Sequence, residues 1–270
     1  MIHRTFAGAL AEWLAIHSQG RQPRSIEFNR DISNIILREW PGYFNAPAES
    51  VSSSEVLIFA ARVNHYCTSR WNAAVCALRF ITPAARVLEL RAIVAKDRAL
   101  ISTEDFARLL EELRKSRRSR GALVIEFLAR TGLRINAARL CRWEHVGEDV
   151  LRAPGSVMKS GKPVELPFIP GLREVLEKLR AVATGARADF ILPQRECKTA
   201  LLRACAATGL PRLTHHDFRH LFATRCIQSG VDTPTAARWL GHQDGGALLA
   251  KTYFHLVDEH SRRMAGRVKI

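Results

Sequence analysis

Apolar positions in the first hundred residues recur every three to four places, the spacing of helices that each bury one stripe. Leu10, Trp13, Leu14 and His17 share such a stripe, which Gly20 to Pro23 interrupts. Ile26 to Trp40 carries a second, with Phe28, Ile32, Ile35 and Ile36 on one side, and Pro41-Gly42 ends it. A polar loop from Asn45 to Ser54 follows, and Ser54-Glu55 opens a third helix through Asn64. Ser69 to Arg79 and Ala84 to Val94 predict two more, split at Pro83, whose ring cannot continue a helix. This stretch reads as a small helical bundle. Ala95 to Leu100 is short, charged and weakly patterned, and reads as a linker between a domain of residues 1–98 and one of residues 99–270.

The second part starts on a helix signal. Ser102 or Thr103 caps, Glu104 and Asp105 fill the first turn, and Phe106, Leu109, Leu110 and Leu113 line one face. The run Arg114 to Arg120 reads as a basic loop. Ala122 to Arg130 is an apolar helix closed by Thr131-Gly132, and Arg134 leads into a helix through Trp143. The period then changes. Ser156-Val157-Met158 and Val164-Glu165-Leu166 read as two short strands around a turn at Lys159-Ser160-Gly161-Lys162. Helical spacing returns at Leu172 to Leu179 and at Thr199 to Ala207. The pattern therefore predicts a mainly α chain with a small antiparallel β-sheet in its C-terminal domain.

Composition narrows the partner. The net charge of +15 rests mostly on arginine, with 33 Arg and 8 Lys. Guanidinium forks suit phosphate, and an excess this large favours a polyanion such as nucleic acid. Residues 1–100 carry a net +4 and residues 101–270 a net +11, so the second domain makes the stronger demand. The six cysteines show no C-x-x-C spacing and read as buried apolar groups in a reducing compartment, not as a disulfide frame or zinc site. Met1 to Leu14 holds His3, Arg4, Glu12 and Trp13, unlike a signal peptide. No apolar run approaches the roughly 20 residues of a membrane span. A cytoplasmic, nucleoid-associated protein is expected.

The candidate chemistry lies between Arg134 and Tyr253. Thr214 to Cys226 puts His216, Arg219 and His220 at a helix start; Trp239 to His242 and Lys251 to His255 follow. Basic side chains around one tyrosine suit phosphodiester transfer to that tyrosine. Charge builds on two non-bridging oxygens in the pentacoordinate state, and fixed guanidinium groups such as Arg134 and Arg219 lower that barrier. The phenol must lose a proton from a group whose ordinary pKa is about 10, which an imidazole such as His216 can accept or orient. Lys159, on a hairpin tip, can protonate the leaving 5′-oxygen, with Lys162 as its alternative. His242 can hydrogen-bond a phosphate oxygen, and Tyr253 is the nucleophile. This chemistry requires no metal or cofactor.

At these residues the chain resembles the tyrosine recombinase, or phage integrase, family. Thr131-Gly132-Leu133-Arg134, Lys159-Ser160-Gly161-Lys162, His216-Asp217-Phe218-Arg219-His220, Leu240-Gly241-His242 and Thr252-Tyr253-Phe254-His255 stand in the family's order. The resemblance implies a tyrosine recombinase catalytic fold over residues 99–270. Residues 1–98 would be a core-binding DNA-binding domain, completing a two-domain, C-shaped clamp. It implies double-stranded DNA as partner, a dimer per site, a tetramer at synapsis, and a 3′-phosphotyrosyl intermediate. The catalytic set it implies is Arg134, Lys159, His216, Arg219, His242 and Tyr253. His220 would be scaffold and His215 loop. Three departures stand out: Ala137 replaces a frequent acidic residue, Phe218 replaces leucine, and the His242-to-Tyr253 spacing is slightly long, with Asp244-Gly245-Gly246 as the turn absorbing it.

Three other readings compete. His216 and His220, with Asp217 between them, approach the H-E-x-x-H zinc pattern, but an arginine would sit beside the metal and no third ligand is evident. A non-catalytic architectural DNA-binding protein could share the fold. A type IB topoisomerase would share the chemistry and relax DNA without joining two sites.

Overall fold

The computed structural model describes residues 4–93, 101–115, 120–193, 197–247, 249 and 250. The linker read at 95–100, residues 116–119 of the basic run, Tyr253 and the C-terminal tail lie outside these. The chain forms two compact units, Met1–Lys96 and Asp97–Ile270.

The first unit holds α1 (Phe6–Ser18), α2 (Pro23–Glu39), α3 (Ser53–Val63) and α4 (Thr68–Ile81). Local chemistry sets the helix starts. Thr5 caps α1 by accepting from the Gly8 amide at 3.1 Å. Ser52 and Glu55 close a reciprocal capping box on α3, with each side chain bonded to the other's amide, at 3.2 and 2.8 Å. The core gathers Phe6, Trp13, Ile32, Ile36, Phe59 and Leu78, and Phe6 stacks on Trp40 with centroids 4.2 Å apart. Phe28 leaves the predicted stripe of α2 and is exposed.

The helix predicted at Ala84 to Val94 does not form. Pro83–Val87 makes one 3-10 turn, and residues 88–93 then follow outside any helix or strand, bonded to α4. Side chains of α4 take over the backbone bonds a helix would have used. Asn72 accepts from the Arg91 amide at 2.8 Å and donates to its carbonyl at 2.9 Å, and the Trp71 indole donates to Glu89 O at 3.1 Å. The Arg91 guanidinium lies over Trp71 and donates to the Tyr66 and Asn64 carbonyls. Arg70 pairs with Asp31 at 2.8 Å. Arg70 and Arg91 thus hold the unit itself together.

The second unit holds α5 (Thr103–Lys115), α6 (Gly121–Thr131), α7 (Ile135–Ala138), β1 (Val150–Ala153), β2 (Val164–Pro167), α8 (Leu172–Ala181), α9 (Lys198–Thr208), α10 (His215–Gln228) and α11 (Thr233–Leu240). Ser102 caps α5 through the Asp105 amide at 2.9 Å. The apolar faces of α6 and α10 pack together at the centre, with Val124, Ile125, Phe127 and Leu128 against Phe218 and Phe222. The core continues through α5 on α9 and α6 on α8.

The strands form an antiparallel hairpin in which Leu151 faces Leu166 and Ala153 faces Val164 on the buried side. Arg152 and Glu165 pair on the outer side at 3.1 Å. The first strand thus lies earlier than the predicted Ser156 to Met158, where Gly155–Val157 instead forms a 3-10 turn. The loop folds back so closely that a Cβ on Gly155 would meet the Gly161 carbonyl oxygen at 2.3 Å. The helix predicted from Arg134 to Trp143 stops at Ala138, because the chain beyond pairs elsewhere: Ile191 donates to Cys141 O and Trp143 to Asp189 O, both at 3.0 Å.

Candidate active site

Two chain turns, one hairpin loop and one helix position the basic residues. The first turn ends α6. Gly132 takes the left-handed conformation at φ 63° and turns the chain into extended Leu133-Arg134. A Cβ there would lie 2.5 Å from Phe222 Cδ1 and 2.8 Å from Leu240 Cδ2, so only glycine lets α6, α10 and α11 meet this closely. Arg134 follows as the N-cap of α7. Its guanidinium is half-buried without a carboxylate partner among the described residues, and burial lowers its pKa from the ordinary arginine value. Ala137 is buried and gives it no charge partner.

The second turn ends α11. Gly241 donates to Arg238 O at 3.0 Å and His242 to Ala237 O at 2.9 Å, the paired bonds of a Schellman closure. Gly241 stands at φ 67°, and a Cβ on it would meet Met158 Cε at 2.8 Å and Val164 Cγ2 at 3.0 Å. This contact brings the hairpin against the His242 turn. Lys159 follows Met158 on the exposed hairpin loop, and Lys162 lies beyond Gly161, which has φ 71°.

The helix is α10. Thr214 and Asp217 form its capping box, in which the Thr214 amide and hydroxyl both donate to Asp217 Oδ2 at 2.7 Å. His216 is exposed and sets its ring edge-on to His220, with centroids 4.6 Å apart. Arg219 is buried at 4% exposure. Its terminal nitrogens donate to Gly132 O at 2.7 Å and Leu240 O at 2.8 Å. Both carbonyls lie at helix ends, where backbone acceptors lack a helical partner and the dipole favours a cation. Arg219 therefore joins the α6 and α11 turns, and with them Arg134 and His242.

The electrostatics show that these groups converge. Burial is the main cause that holds His242 below the ordinary histidine pKa, and the positive charges of Arg219, Arg134 and His216 push the same way, while Asp244 opposes them. The His242 Nδ1 atom is buried without a hydrogen-bond partner among the described residues. Arg134, His216, Arg219 and His242 thus form one cluster of basic side chains, and Lys159 lies on the hairpin that packs against the same turn. Tyr253 lies outside the described residues. No group of three His, Cys, Asp or Glu side chains suited to a metal ion occurs among the described residues.

One residue near the site was misread from the sequence as loop. His215 is the first residue of α10 and is buried at 6% exposure. Its spacing carries a signal: His215, Arg219, Phe222 and Cys226 recur at i, i+4, i+7 and i+11, the period of a buried helix face, and all four are buried.

Comparison with known proteins agrees with this architecture. The phage integrase family profile matches residues 100–260, and the chain belongs to that family, whose members are tyrosine recombinases. It is 24% identical to "Tyrosine recombinase XerA" of Thermococcus kodakarensis over 270 residues, 93% of this chain and 92% of the relative. Among solved structures, a lambda integrase tetramer bound to a Holliday junction superposes with a TM-score of 0.75 at 18% identity, over 93% of this chain and 77% of that one. The Tn1549 transposon integrase in complex with a circular intermediate DNA gives 0.79 at 15%, over 98% of this chain and all of that one. At these identities the superpositions establish the fold. No helix among the described residues is long and apolar enough to cross a membrane.

Proposed function

We propose that the protein is a site-specific DNA recombinase that cuts and rejoins strands through a 3′-phosphotyrosyl intermediate on Tyr253. The observation that carries this reading is the cluster of basic side chains around His242, placed by the Arg219 bonds to Gly132 and Leu240. Arg134 and Arg219 stabilise the two non-bridging oxygens as charge builds on them. His216 takes or orients the phenol proton, Lys159 protonates the departing 5′-oxygen, and His242 bonds a phosphate oxygen. The phosphodiester bond to the 5′-oxygen breaks as the bond to the Tyr253 oxygen forms, so no energy carrier is consumed. Attack by a 5′-hydroxyl from a second strand reverses the step and releases the tyrosine.

The net charge of +15 supports double-stranded DNA as the partner, and the relatives solved on DNA as dimers and tetramers support the same assembly here. Residues 1–98 would bind the same DNA as the second half of a clamp, leaving residues 99–270 to do the chemistry.

Incubation with a nicked suicide duplex tests the reading. The wild-type chain is expected to form a covalent protein–DNA adduct, and Tyr253→Phe to bind the duplex without forming it. An adduct on Tyr253→Phe would overturn the nucleophile. Relaxation of supercoils by a monomer that never joins two sites would place the protein with type IB topoisomerases instead.

A further inference from the structure

His215 is joined to α9 by a buried bond. Its Nε2 atom accepts a hydrogen bond from the backbone amide of Cys197 at 3.3 Å, and the Cys197 thiol lies 3.3 Å from the same nitrogen. His215 is 6% and Cys197 5% exposed. Cys197 is the N-cap residue of α9, so the ring joins the start of α9 to the start of α10. An amide can only donate, so Nε2 carries the lone pair and the neutral ring holds its proton on Nδ1.

The geometry of α10 turns this contact into an orienting device. Successive helical residues are about 100° apart, and residues four apart share a face. With His215 held inward, Arg219 is held inward too and meets Gly132 and Leu240. His216, one step on, must then face outward, where it is exposed beside His220. Packing of Phe218 and Phe222 on α6 fixes the rotation of α10 further along the helix. The Cys197–His215 bond fixes it at the first turn, at the residue adjoining His216.

We infer that His215 is a positioning residue, which aims His216 and Arg219 at the scissile phosphate through its buried acceptor bond to Cys197. This rests on the strand-transfer reading above, and it adds a residue to which that chemistry assigns no role. Buried at 6% exposure, His215 would act through these neighbours and not on the DNA itself.

The test uses the full chain with two substitutions. His215→Gln keeps an acceptor near the Nε2 position, whereas His215→Met fills similar volume with only a weak one. Single-turnover adduct formation at saturating nicked duplex, duplex Kd and melting temperature are measured for each. His215→Met is expected to slow adduct formation at least tenfold with Kd within twofold, and His215→Gln to stay within about threefold of wild type. Equal slowing by both, or an unchanged His215→Met rate, would overturn the proposal. So would a parallel loss of affinity and rate, the sign of a purely structural role. If His215→Met does not fold, His215→Gln decides: a tenfold loss at wild-type melting temperature overturns it. Failure of the wild-type chain to form an adduct would refute the strand-transfer reading, whereas a wild-type adduct with insensitive variants refutes this inference alone.

Discussion

The Arg219 guanidinium donates to the Gly132 carbonyl oxygen at 2.7 Å, across 87 positions of sequence. Its other terminal nitrogen donates to Leu240 O at 2.8 Å. One buried cation therefore orders two turns that carry further site residues. Arg219→Ala would leave two carbonyls unpaired in the core, and a loss of about 3 kcal/mol is expected, together with loss of adduct formation. Arg219→Lys, whose ammonium lacks the planar fork, is expected to fall between the two. Urea unfolding midpoints measure the ranking, and wild-type stability in Arg219→Ala would show that the turns order themselves.

Two glycines separate backbone strain from crowding. Gly132 and Gly161 both have left-handed φ, at 63° and 71°. A Cβ on Gly161 meets nothing within 4 Å, while one on Gly132 would strike Phe222 and Leu240. Gly161→Ala is expected to cost about 1 kcal/mol, the strain alone. Gly132→Ala should cost about 3 kcal/mol, since overpacking adds to the strain. Thermal melts of the two variants test this, and equal losses would mean the core yields at Phe222.

His242 makes stability depend on pH with a definite sign. Its folded pKa is below the ordinary value of about 6.5, so the unfolded chain takes up the proton first as pH falls. Stability therefore rises with pH in that range. The contribution is complete above about pH 6.5 and is lost as pH falls through the folded-state value. Urea midpoints should drop as pH falls below about 6.5, and His242→Gln should flatten part of that slope. A slope unchanged in His242→Gln would place the sensitivity on other groups.

The thiols should divide by burial. Cys67 and Cys76 are exposed, while Cys141, Cys197, Cys205 and Cys226 are buried. Burial pushes the Cys141 and Cys226 thiols up to about 12, far from the reactive thiolate. An aromatic disulfide reagent at pH 8 is expected to label Cys67 and Cys76 rapidly and the other four only after unfolding. Fast labelling of Cys226 would contradict the packing of α10.

Much of the helical architecture was legible because amphipathic spacing and capping are local. The Ser102 cap of α5 and the stripe Leu109, Leu110 and Leu113 each follow from a few adjacent residues, whereas α3 is capped by Ser52, two residues before the start read at Ser54-Glu55. Two of the failures share a cause. Residues 88–93 and 139–143 have backbone groups claimed by partners distant in sequence, Asn72 and Trp71 for the first and the stretch at 189–191 for the second, whereas residues 156–158 curl into a local turn through bonds to Pro154 and Gly155. Periodicity cannot register distant partners, so it extended helix through the first two stretches.

The sequence by itself determined the family, the mainly helical class and the residue types of the candidate chemistry, since motif order and helix period are written along the chain. Tertiary structure decided which of those residues stand together. Arg134 and His242 share a site because Arg219 bonds the carbonyls preceding each turn. The Lys159 loop reaches it because Gly241 has no side chain to hold off Met158. His215 changes from a loop residue to a buried anchor because helix rotation turns its ring toward the amide of Cys197, a bond that no local pattern specifies.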